Sequence, residues 1–93
     1  MFRIVLAWNN VPPTVGAQAA ADIGEEFTLH RPWHHNVTCT WDQTKNSVLL
    51  QADNDFDSDG LALMDEFSDA ISACVKDAGD GGIRVLSTTA IQT

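Results

Sequence analysis

One short stretch has the residue types and spacing of a calcium loop. Asp55, Asp57 and Asp59 alternate, Gly60 follows, and Glu66 closes the segment. Oxygen ligands at alternate positions can wrap a hard cation, glycine permits the sharp turn, and the final glutamate supplies two oxygens. Asp53 extends the alternation upstream. The surroundings argue against that chemistry. The incoming segment "SVLLQAD" alternates like a strand, where a calcium loop needs a helix. Ala62 and Leu63 stand where such a loop carries a larger aliphatic residue and a polar one. A helix beginning near Asp59 would carry Glu66 almost two turns away. The expectation is that the carboxylates cap that helix and face the positive end of its dipole, without binding calcium tightly.

His30, His34 and His35 form the second group with ligating chemistry. Pro32 prevents His30 and His34 from sharing a helical face. Adjacent His34 and His35 in extended chain point opposite ways. One of them could join Asp53 or Asp55 as a mixed nitrogen and oxygen site for zinc or manganese. The plainer expectation is a hydrogen bond or ion pair between histidine and carboxylate.

The third group is aromatic: three tryptophans and no tyrosine. Trp8 and Trp41 fall on the inward phase of their strands and are expected in the core. The competing reading places them as walls of a pocket, with Asn9, Asn10 and Asp42 orienting a ligand. Trp33, beside Pro32, is expected to be exposed and to act as an interface anchor.

The elements that position these groups follow from periodicity. "FRIVLAW" is apolar on both phases and predicts a central strand. Proline near the start and glycine near the end of "VPPTVGAQAAADIG" predict a helix over Pro13 to Ile23, closed by Gly24. Residues 25–31 read as either another helical turn or a short edge strand. "NVTCTWD" and "SVLLQAD" alternate around the turn "QTKN" and predict a hairpin. Met64, Phe67, Ile71, Cys74, Val75 and Ala78 recur at helical steps and predict a helix over Asp59 to Ala78, stopped by "GDGG". "IRVLSTTAI" is the last strand. The order β-α-β-β-α-β predicts a single α+β domain over 1–93. Its economical form is a ferredoxin-like two-layer sandwich, an antiparallel sheet with both helices on one face.

Composition narrows the function. Thirteen acids against five bases give a formal net charge of −8. Such a surface repels a phosphate backbone, so nucleic-acid binding is not expected. No segment approaches a membrane span, and the N-terminus lacks the marks of a signal peptide, so the expected location is cytoplasmic. Cys39 and Cys74 then read as buried thiols rather than a disulfide. No cofactor motif stands out, and none is expected.

The sheet face away from the helices would show Val5, Ala7, Thr38, Thr40, Leu49 and Leu86, too apolar to remain wet. The leading expectation is a small, acidic, non-catalytic interaction domain, homodimeric through that face or paired with a basic protein. The first alternative is a small enzyme or ligand sensor using the Trp and Asn pocket, by analogy of fold alone. The second is a metal-binding module built on the acidic run.

Overall fold

A computed structural model describes residues 1–75 and 82–91. The elements are β1 (Phe2–Trp8), α1 (Gly16–His30), β2 (His35–Asp42), β3 (Ser47–Asn54), α2 (Leu61–Cys74) and β4 (Ile83–Ala90). The strands lie in the order β2-β3-β1-β4, and each pairs antiparallel with its neighbours. This is the ferredoxin-like α+β sandwich that the element order predicts. Ile4, Leu6 and Trp8 of β1 and Val48, Leu50 and Ala52 of β3 meet Ala19, Ala20, Ile23 and Phe27 of α1 and Leu63, Phe67, Ala70 and Ile71 of α2 in one buried cluster. Val37, Cys39, Trp41, Ile83 and Val85 complete it from the edge strands.

The helix limits differ from expectation for local reasons. Pro12 to Val15 form a turn, closed by the Val15 N–H donating to the Pro12 carbonyl, so α1 begins at Gly16 rather than Pro13. The helix then passes through Gly24 and takes up residues 25–30. Gly24 is no terminator: α1 crosses β2 there, and a Cβ on it would lie 3.4 Å from Cys39 Cβ. Pro32 ends the helix, because the residue before proline is pushed out of helical conformation; Arg31 sits at φ −132°, ψ 62°. Helix α2 starts at Leu61 and ends at Cys74, with Val75 already extended. The expected extension to Ala78 and the "GDG" of its stop lie outside the described residues.

Two irregularities re-aim side chains. In β4 the pairing with β1 slips between Val5 and Leu6, so Val5 faces Ser87 while Leu6 faces Val85. Leu86 is the extra residue of a bulge, which bends a strand locally. In β2 the register slips between His35 and Thr38, and Asn36 adopts φ 52°. Asparagine tolerates that left-handed conformation better than most residues.

Gly16 is fixed by contact rather than by backbone conformation. A Cβ there would fall 2.4 Å from the Trp41 ring, far inside van der Waals distance. The missing side chain lets the start of α1 lie flat on the indole. Gly16→Ala is expected to cost about 1–3 kcal/mol through overpacking. In a Trp41→Leu background the same substitution should cost less, since the two residues share one space. Denaturant unfolding of the four proteins checks this; equal costs in both backgrounds would contradict it.

Candidate functional site

The end of the sheet that receives the α1–β2 loop and the β3–α2 loop gathers the polar chemistry. His34 has no solvent-exposed side-chain surface. Its Nε2 meets Glu66 of α2, and its Nδ1 lies 3.2 Å from Asn54 Nδ2 at the end of β3. Phe27, Trp33 and Phe56 surround the ring, with centroids 5.8, 5.9 and 6.0 Å away. Trp33 donates Nε1–H to the other Glu66 oxygen at 3.0 Å, and Arg31 reaches that oxygen at 3.7 Å. Asn54 Oδ1 accepts the Phe56 and Asp57 N–H groups at 3.3 and 2.9 Å. Its amide nitrogen must therefore donate, and His34 Nδ1 must accept. The neutral ring thus carries its proton on Nε2 and donates it to Glu66.

The alternating aspartates separate. Asp57 is buried and caps α2, accepting the Ala62 N–H at 3.2 Å and the Leu63 N–H at 2.8 Å. Asp59 is exposed and accepts the Leu61 N–H at 3.1 Å. Gly60, between Asp59 and the first residue of α2, holds φ 80°, where Ile4 and Val85 would crowd any Cβ. Asp55 is exposed. Glu66 is committed to His34 and Trp33. Among the described residues, no group of three or more His, Cys, Asp or Glu side chains is arranged to hold a metal.

Asp53 sits elsewhere. Its partner in register is Arg3, which donates Nε–H and Nη2–H to its two oxygens at 3.0 Å each, on the face away from the helices. Asn36 adds a bond at 2.9 Å, so the β2 bulge serves this carboxylate. Arg3 and Asn36 together hold the Asp53 carboxyl below the usual carboxylate range, against the opposing effect of burial. His35, opposite Asp53 on β2, is exposed, so the adjacent histidines do point apart. His30 is exposed near Glu26, 3.9 Å away.

The two halves of the tryptophan pocket reading fall on opposite sides of the sheet. Trp8 is buried at 1% exposure and packs with Trp41 beneath the helices. Asn9 and Asp42 instead line a cavity of about 270 Å³ on the open face. Asn10 is exposed in a left-handed turn. Ala7, Leu49 and Leu86 form the apolar lining, and Lys45, Ser47 and Arg84 the rest of the polar one. Val5 is half-buried nearby, while Thr38 and Thr40 are exposed. Trp33 is 46% exposed, beside Phe56 at 53%.

Sequence reasoning missed Glu66, Asn54 and Phe56 as partners of His34, and Lys45 and Arg84 as lining residues. Sequence reasoning paired a histidine with Asp53 or Asp55, but no periodicity selects which carboxylate reaches a histidine. Both cysteines are free thiols, partly buried. Burial pushes Cys39 up to about 12. Burial and the acids of α1 also raise Cys74.

Two outcomes follow. Asp57→Ala should cost about 1–2 kcal/mol as a lost cap, with or without calcium, while Ser58→Ala, at an exposed position, should cost little. Chemical unfolding with and without chelator reads both; a cost for Asp57→Ala that appears only with calcium would contradict the cap. Because the folded-state Asp53 carboxyl is depressed, its stabilisation is present above the unfolded value of about 3.9 and is lost as pH falls below it. Arg3→Ala should flatten that acid limb in unfolding midpoints taken from pH 6 to pH 2; an unchanged limb would show that other carboxylates govern it. The chain matches no family model, no curated protein and no solved structure.

Proposed function

We propose that the chain is a small non-catalytic interaction domain that associates with a second copy through the open face of its sheet. The observation that carries this reading is the distribution of charge. A chain of net charge −8 repels its own copy over most approaches. Both helices and the β3–α2 loop carry acids in excess, from Asp22, Glu25 and Glu26 to Asp55, Asp65 and Asp69. The open face reverses this balance, with Arg3, Lys45 and Arg84 against Asp42 and Asp53. Two copies meeting there bring together their least negative surfaces, around Val5, Leu49 and Leu86.

Size is compatible. Four strands of seven or eight residues span a flat footprint of roughly 500 Å² at ~3.3 Å per residue and ~4.8 Å between strands. A corrugated face has more accessible area than its footprint, which brings it toward the ~800 Å² per partner of a standard interface. The non-catalytic half of the reading draws on His34, whose ring is sealed from solvent and bonded at both nitrogens.

Sedimentation across a range of concentrations tests the proposal. A monomer–dimer equilibrium is expected. Thr40→Glu, at an exposed position outside the core, should shift it toward monomer without lowering the unfolding temperature. A monomer persisting at high micromolar concentration would overturn it.

A further inference from the structure

The cavity on the open face has the chemistry of a binding site. Its floor is apolar, made by Ala7, Leu49 and Leu86; Leu86 lies two residues along β4 from Arg84, on the same face. Its rim is donor-rich. Ser47 donates its hydroxyl to Asn9 Oδ1 at 2.9 Å, which leaves the Asn9 amide nitrogen as the free end of that side chain. Among the described residues, neither Lys45 nor Arg84 makes an ion pair within 4 Å, although the chain has an excess of acids. Among the described residues, the one carboxylate on the rim is Asp42. Its Oδ1 already accepts the Thr44 N–H and hydroxyl, at 3.1 and 2.6 Å, which ties it to the hairpin turn. Among the described residues, three donors without acceptors thus surround an apolar floor, and their local charge balance is positive.

We propose that this cavity binds a small organic carboxylate, its anionic head on Arg84, Lys45 and the Asn9 amide and its hydrocarbon body on Ala7, Leu49 and Leu86. The volume, about 270 Å³, lies just under the ~300 Å³ at which pockets for larger ligands begin. It therefore selects a ligand the size of a short-chain fatty acid or a one-ring aromatic acid. Arginine suits the task because its planar fork meets a carboxylate through two parallel bonds. Every lining residue belongs to one chain, so the site does not rest on self-association. A second copy over the face would close the site rather than complete it.

Calorimetry and thermal shift with hexanoate and benzoate as probes test this, with hexanamide and sulfate as controls. Hexanoate or benzoate should bind saturably, one per chain, and raise the unfolding temperature. Hexanamide should bind at least about tenfold more weakly, since the charge-assisted bonds are lost. Sulfate should also bind more weakly, because it leaves the apolar floor unused. Arg84→Gln, at an exposed position, should weaken hexanoate about tenfold with little change in the ligand-free unfolding temperature. Sizing of the same samples separates this outcome from that of self-association. No saturable binding of either carboxylate at tens of millimolar would overturn the proposal. So would equal binding of hexanamide, equal binding of sulfate, or an Arg84→Gln variant that binds hexanoate unchanged.

Discussion

The arrangement of one end of the molecule depends on a single uncharged imidazole. His34 sits where the α1–β2 loop, the end of β3 and the flank of α2 meet, and it bonds to the last two. The bonds form a closed circuit. Glu66 of α2 accepts from His34, His34 accepts from Asn54, and Asn54 fixes the N–H groups of Phe56 and Asp57. Asp57 then caps the first turn of α2, the helix that carries Glu66. Each group is oriented by the next, so removing one leaves a buried donor or acceptor without a partner, which is costly in a low-dielectric interior. Arg31 Nε is the exception, buried without a hydrogen bond while its guanidinium lies 5.4 Å from the Phe27 ring centre.

The two faces of the sheet are organised by different physics. Beneath the helices, apolar burial dominates, and Trp8, Phe27 and Phe67 are its largest fully enclosed members. On the open face the organising element is the Arg3–Asp53 pair, directly opposite in register and braced by Asn36. Asp53 is enclosed there without a hydrophobic layer above it. Its side chain is covered by its own partners, which explains how a carboxylate can be fully buried on an uncovered sheet.

Much of this was legible in the sequence. The strict alternation of Val37, Cys39 and Trp41, and of Val48, Leu50 and Ala52, located β2 and β3 and their inward faces. The spacing of Phe67 and Ile71 located α2. What the sequence concealed were contacts that override local preference. Gly24 resembles a terminator but marks where a helix crosses a strand. Gly16 begins the helix, with Trp41 occupying the space of its absent side chain. The acidic run satisfied a complete ligand pattern, and the fold then divided it between a sheet face, a helix cap and solvent. Spacing along the chain could not report that division, because Asp53 belongs to a strand whose neighbours are Arg3 and His35, far away in sequence. The candidate cavity was half legible: Asn9 and Asp42 were identified, but on the wrong side, grouped with tryptophans that point inward.

The strand order has a consequence for how the molecule is made. The central strand β1 is synthesised before every other element, and one of its two neighbours, β4, is synthesised after all of them. While the ribosome is still elongating, the β2–β3 hairpin can form and β3 can dock on β1. The other side of β1 then keeps a row of unpaired amides and carbonyls, the kind of edge that recruits stray strands. Helix α1 lies over β2 and β3 and leaves that edge open, whereas α2 packs beside β4; protection therefore waits for α2 and β4. The last strand therefore does more than complete the sheet: its arrival ends the interval in which the centre of the fold is exposed.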